Sequence, residues 1–174
     1  TKASGVDAHS GSYALKLESK TVALQTAPGI SGLGTITANT NGAEDFEGVG
    51  YTLRPVALTG WYKYVPSGVD TASIEVVLFK WNSNTNSRER VGEGTFTQNQ
   101  TVSTYTQFTL PINYLSGVAP DTMVIILLTS SQGDASPVGS KLYVDDLDFT
   151  FPTALPNISS ADIKLFPNPA SNII

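Results

Sequence analysis

Two runs in the middle of this chain, "IEVVLF" at 74–79 and "MVIILL" at 123–128, are apolar at odd and even positions alike. Their length, their β-branched content and the Gly, Pro, Asn, Asp and Ser clusters that bound them read as strands rather than helix turns. A strand with no polar face must be covered, at least in part, on both faces. The chain therefore has to build sheets that carry something on each side.

The other runs agree. "SYALKLESK" alternates, with Tyr13, Leu15 and Leu17 facing one way and Lys16 and Glu18 the other. "VALTGWYKYV", "TYTQFTLPINYL" and "KLYVDDLDFTF" are further strands, and shorter ones are expected near 22–26, 33–37, 49–53 and 90–97. No stretch longer than about ten residues keeps a helical period. The expected fold is all-β: an antiparallel β-sandwich. Residues 31–50 read as a long loop with one strand, and "NSNTNSRER" and "SSQGDASPVGS" as loops at the ends of the sandwich, where sites are often built.

Composition narrows the function classes. Charged residues are 14% and apolar residues 40%, too apolar a balance for a disordered chain. The net charge is −5, and the one basic run is "RER" at 88–90, which argues against nucleic acid and against anionic membrane surfaces. Without cysteine there are no disulfides, thiolate metal sites or cysteine nucleophiles. No apolar run approaches the ~20 residues of a membrane-spanning helix. From Pro152 the composition shifts. Residues 1–151 form the expected domain, 152–162 a Pro-rich linker, and 163–174 a separate short segment.

Three stretches could carry chemistry. In "GWYKY", Trp61 and Lys63 share one face of a strand and Tyr62 and Tyr64 the other. If the tyrosines serve the core, Trp61 and Lys63 form a flat ring beside a cation, suited to stacking on a sugar; the alternative is Trp61 in the core. Trp81, at a strand end beside an amide- and hydroxyl-rich loop, is a second platform or a cap on the core. In "YVDDLDF" the apolar parity switches between Leu142/Val144 and Leu147/Phe149, which predicts a β-bulge at Asp145–Asp146. Carboxylates crowded there call for donors or a cation, and calcium is the candidate ion. A further acidic group, Glu44, Asp45 and Glu47, together with Glu75, offers the material of a glycoside hydrolase or lyase without showing a cleft. His9 is the only histidine, so a multi-histidine metal site is excluded, and no serine stands in a Gly-x-Ser-x-Gly elbow.

"HSGSYALKLES", "RPVALTGWYKYVP", "TYTQFTLPINYL" and the closing "VDDLDF" together resemble a family of Bacteroidetes surface-protein domains associated by name with carbohydrate metabolism. That family is similar to jelly-roll carbohydrate-binding modules. The resemblance implies a jelly roll over residues 5–151 and a structural calcium ion tying the N-terminal segment to the last strand. By position, Asp145 and Asp146 would supply carboxylates, with oxygens near His9 to Ser12, and Asp7 as the nearby acid. "LFPNPASNII" resembles the start of the C-terminal sorting domain read by the type IX secretion system. It implies contact with that machinery, an extracellular or outer-membrane-surface location, and a chain cut short within that domain.

The expected function is a non-catalytic glycan-binding module using Trp61, Lys63, Trp81 and Arg54. The alternatives are a structural or adhesive module without a small ligand and, behind it, a glycoside hydrolase or lyase.

Overall fold

The computed structural model describes residues 1–22, 24–38 and 44–152; the side chains of 6, 35–38, 44–46 and 134 are outside that description. The linker and sorting-segment readings of 153–174 therefore fall outside it too.

The strands begin with β1 (Lys2–Ser4), β2 (Tyr13–Glu18), β3 (Lys20–Val22), β4 (Gln25–Ala27) and β5 (Ile30–Leu33). They continue with β6 (Thr35–Ala38), β7 (Glu44–Glu47), β8 (Val49–Gly50), β9 (Ala57–Val65) and β10 (Ala72–Asn82). The last are β11 (Ser87–Gln98), β12 (Val102–Pro111), β13 (Asn113–Tyr114), β14 (Thr122–Leu128) and β15 (Lys141–Thr150). Every pairing among them is antiparallel.

The first sheet runs β1-β2-β15-β9-β12 and the second β13-β11-β10-β14-β5. Without the short edge strands these are β2-β15-β9-β12 and β5-β14-β10-β11, the strand order of a jelly roll. The core between the sheets is filled from alternate positions: Leu58, Tyr62 and Tyr64 of β9, Ile74, Val76 and Leu78 of β10, Met123, Ile125 and Leu127 of β14, Leu142 and Val144 of β15. Each fully buried aliphatic side chain of this kind contributes about 1.5–3 kcal/mol against its exposed state. Tyr62 and Tyr64 do serve the core. The Tyr64 hydroxyl donates to the Thr129 carbonyl at 3.0 Å and is pushed up to about 12, first by burial and then by the charge of Asp70.

The run 31–50 is more ordered than a loop with one strand. β5 and β8 lie along the same edge of β14, at Ile125–Leu128 and Thr122–Met123 respectively, and the paired β6 and β7 leave the sheet between them. Gly34 and Gly48 mark the departure. A Cβ on Gly34 would stand 2.4 Å from the Glu47 carbonyl oxygen and one on Gly48 2.3 Å from that of Met123, so only glycine fits.

The expected bulge is present. β15 pairs with β9 through Asp145↔Trp61, then resumes at Asp148↔Thr59, and Asp146 has φ of 48°. Leu142 and Val144 thus point into the core before the slip, and Phe149 packs against it after.

Candidate functional site

The two tryptophans stand on the outer faces of different sheets. On the first sheet, Trp61 is covered by the N-terminal segment between β1 and β2. The His9 ring stacks on it, with centroids 4.0 Å apart and planes 15° apart, and meets Tyr105 edge-on at 5.4 Å. His9 Nδ1 lies 2.7 Å from Asp146 Oδ2, and the Ser10 hydroxyl donates to Asp146 Oδ1 at 2.6 Å. The backbone N–H groups of His9 and Ser10 both donate to Asp145 Oδ2, at 2.8 and 3.2 Å. The bulge is what makes this possible, because it turns adjacent carboxylates toward the same segment. Hydrogen bonds from Ser10 first, and from His9, hold the Asp146 carboxyl below its usual range.

Lys63 belongs to the same clasp. Its ammonium pairs with Asp7 at 3.0 Å and lies over the rings of Tyr143 and Tyr105, 4.6 and 4.7 Å from their centroids. Tyr105 donates to the Asp7 carbonyl at 2.6 Å, and its hydroxyl is pushed up to about 12 by burial and then by the charges of Asp145 and Asp7. Ser12 follows in the same turn, just before β2.

The residues expected around calcium are therefore brought together, and what they face can be tested against the ion. Asp145 Oδ1 accepts the Asp146 N–H at 2.9 Å, so all four oxygens of the two carboxylates have a protein donor or the His9 ring nitrogen beside them. Calcium instead needs six to eight oxygens turned toward one point. Among the described residues no group of three or more His, Cys, Asp or Glu is gathered to hold a metal. As they stand, the carboxylates are turned toward protein donors rather than toward one shared point.

Arg54 is remote from both tryptophans' strands in role. Its guanidinium donates to the carbonyls of Val118 and Ser116 and lies 3.9 Å from the Tyr114 ring centroid. It fastens the segment between β13 and β14.

The second sheet carries a groove on its outer face. Along β10 the outward positions are Glu75, Val77, Phe79 and Trp81, the alternates of the core residues Ile74, Val76 and Leu78. Neighbouring outward positions are Val124, Ile126 and Leu128 of β14, and Arg90, Glu93 and Thr95 of β11. One hollow of about 370 Å³ has Val77, Phe79, Val124 and Ile126 as its floor, with Glu75, Arg90 and Ser131 on its rim. A second, of about 530 Å³, shares Glu75, Val77 and Arg90 with the first and extends over Glu93, Thr95 and Asn113. The two adjoin at these shared residues, and together they form the groove of the second sheet.

Trp81 lies one outward position beyond Phe79, opposite Arg88, and is 47% exposed. Its backbone N–H donates to Asp121 Oδ2 at 2.9 Å, and Asp121 also pairs with Lys80 at 3.4 Å. Burial pushes the Asp121 carboxyl up, but the Trp81 N–H, the Thr122 hydroxyl and Lys80 outweigh it and hold it below its usual value. These contacts fix the end of β10 under the indole.

Of the residues singled out from sequence, Trp61, Asp145, Asp146 and His9 thus gather on one face with Lys63, while Ser12 is near them only along the chain. Trp81 stands on the other, and Arg54 joins neither. Glu47 is exposed, and the side chains of Glu44 and Asp45 lie outside the described residues. The groove residues Val77, Phe79, Arg90 and Glu93 were not singled out. Their signal was the outward parity of "IEVVLFKW", which places Glu75, Val77, Phe79 and Trp81 in one line.

No family model matches this chain, and no curated protein matches it. Two solved structures share the jelly-roll sandwich, both described as a "putative glycoside hydrolase". The one from Bacteroides thetaiotaomicron has a TM-score of 0.68 and 18% identity over 83% of this chain, and 55% of its own length is covered. The one from Bacteroides vulgatus has a TM-score of 0.68 and 19% identity, over 82% of this chain and 75% of its own. This chain thus spans about half the length of the first. A carbohydrate-binding module specific for non-crystalline cellulose is more distant, with a TM-score of 0.45 and 12% identity over 86% of this chain and 79% of its own.

Proposed function

We propose that this protein is a glycan-binding β-sandwich whose ligand lies in the groove on the outer face of the second sheet. The observation that carries the reading is the juxtaposition, on one face, of Phe79 and Trp81 with the hydrogen-bonding side chains of Glu75, Arg90, Glu93, Asn113 and Ser131. The C–H faces of sugar rings stack on the aromatics, and their hydroxyls exchange hydrogen bonds with the rim. A groove this shallow gives modest affinity. Trp61 has no part in it, since His9 already occupies its face.

Calorimetry against a panel of oligosaccharides tests the proposal. Trp81→Ala and Phe79→Ala each weaken binding at least about tenfold, or ~1.4 kcal/mol, while Trp61→Ala leaves a folded protein that still binds. Loss of binding in Trp61→Ala with retention in Trp81→Ala moves the site to the first sheet. A folded protein that binds no glycan leaves a structural or adhesive module.

One observation favours a hydrolytic reading: Glu75 and Glu93 line the same groove, as two carboxylates of a glycosidase do. Glu93 is tied to Arg90 at 2.9 Å. Release of reducing ends from a bound glycan, abolished in Glu75→Gln, would establish hydrolysis.

For location, we propose secretion to the cell exterior or the outer-membrane surface, supported by the resemblance of "LFPNPASNII" to a sorting signal.

A further inference from the structure

Resting on the groove as the glycan site, we propose that Glu75, Arg90 and Glu93 restrict it to non-acidic oligosaccharides, uncharged or amino-bearing, and exclude uronic-acid and sulfated ones.

The register fixes the geometry. Glu75 stands opposite Thr95, Val77 opposite Glu93 and Phe79 opposite Arg90, so the three charges occupy successive rungs of two neighbouring strands. All three line the groove. Arg90 is the one cation among the described lining residues, and its Nη1 is bound to Glu93 Oε2 at 2.9 Å. With that pair neutralised internally, Glu75 leaves the groove one negative charge.

The surroundings do not reverse the sign. Lys80, beside Trp81 in sequence, is paired with Asp121 at 3.4 Å. Arg88, opposite Trp81, is not among the residues that line the two hollows and has interactions of its own. The chain as a whole carries −5, so its long-range field also repels polyanions. A uronate or sulfate laid over Val77 would sit beside Glu75 and the already paired Glu93 carboxylate, in a hollow where screening is incomplete. An ammonium on a sugar would be attracted by the same groups.

Size follows from the strand count. The groove reaches from Ile30 of β5 across β14, β10 and β11 to Asn113 of β13. Four strand spacings of ~4.8 Å make this about 19 Å, the span of an oligosaccharide rather than of one sugar.

The experiment is affinity measurement on the full chain with size-matched neutral oligosaccharides, chitosan oligosaccharides and oligogalacturonates, at low and at high salt. Wild type, Glu75→Gln/Glu93→Gln and Trp81→Ala are compared, with folding checked by circular dichroism. Wild type binds a neutral or amino-bearing series at least about tenfold more tightly than the acidic one, and salt weakens only the amino-bearing series. The double variant narrows the neutral-to-acidic ratio. Equal wild-type affinity for acidic and neutral series overturns the selectivity and leaves glycan binding standing. An unchanged ratio in the double variant overturns the role of these carboxylates. No binding of any series by folded wild type overturns the glycan reading and this inference with it.

Discussion

A single histidine decides what Trp61 can do. The indole offers a flat face at the surface of the first sheet, and the His9 ring lies over it while reaching Asp146. A hydrogen bond contributes about 0.5–1.5 kcal/mol net and an aromatic stack about 0.5–1.5 kcal/mol. His9→Ala is therefore expected to cost about 1 kcal/mol and to release the N-terminal segment without unfolding the domain. In a Trp81→Phe background the remaining fluorescence reports Trp61, and it shifts to the red in His9→Ala. Acid acts on the same clasp. The folded Asp146 carboxyl is depressed, so its contribution is present at neutral pH and is lost as pH falls below the ordinary carboxylate range. In that Trp81→Phe background the red shift then appears on acidification, and adding Asp146→Asn brings it on already at neutral pH. A Trp61 spectrum indifferent to both changes would remove the clasp from the argument.

At the scale of elements, strand β11 shows how closely the sandwich is built. Gly94 faces the end of β12, where an added Cβ would stand 2.3 Å from a Leu110 methyl and 2.5 Å from the Pro111 carbonyl oxygen. The methyl can turn aside but the backbone oxygen cannot. Gly94→Ala is expected to destabilise by about 1–3 kcal/mol, read as a lower urea midpoint at unchanged slope. The same strand supplies Arg90 and Glu93, so weakened glycan binding should accompany the shift. How such features relate to sequence differs from strand to strand. The bulge at Asp145–Asp146 was legible because parity switches within eight residues, a local signal. The pairing of β5 and β8 with one edge of β14 was not, because "SGLGTITANTNGAEDFEGVG" has little alternation and its strands are set by the neighbour they pair with. The groove was half legible. The double-parity runs announced an outer face that is partly covered, but its walls come from strands 72–82, 87–98 and 122–128, whose adjacency is a matter of strand order. For the same reason "GWYKY" and "FKW" looked like two parts of one surface until topology put them on opposite sides.

Across the whole molecule, the two outer faces divide the chemistry. One is closed by the chain's own N-terminal segment, with its polar groups bonded to one another, and the other is open. That division bears on calcium, which the sequence placed at Asp145 and Asp146. A cation there would compete with the His9 and Ser10 N–H groups, the Ser10 hydroxyl and the His9 ring for three of the four carboxylate oxygens. It would also have to recruit most of its oxygen ligands from backbone that is now turned elsewhere. Asp7, the remaining nearby acid, is committed to Lys63 at 3.0 Å. Thermal unfolding in millimolar calcium and in chelator is therefore expected to give the same midpoint. A ligand bound only by the folded state stabilises by RT ln(1 + [L]/Kd), about 2.7 kcal/mol at a hundredfold excess over Kd, and so cannot hide in such an experiment. A midpoint that climbs steadily with calcium would mean that the ion reorganises the clasp and frees His9 from Asp146. Trp61 would then lose its cover, and the first sheet would offer a second face for a sugar to stack on.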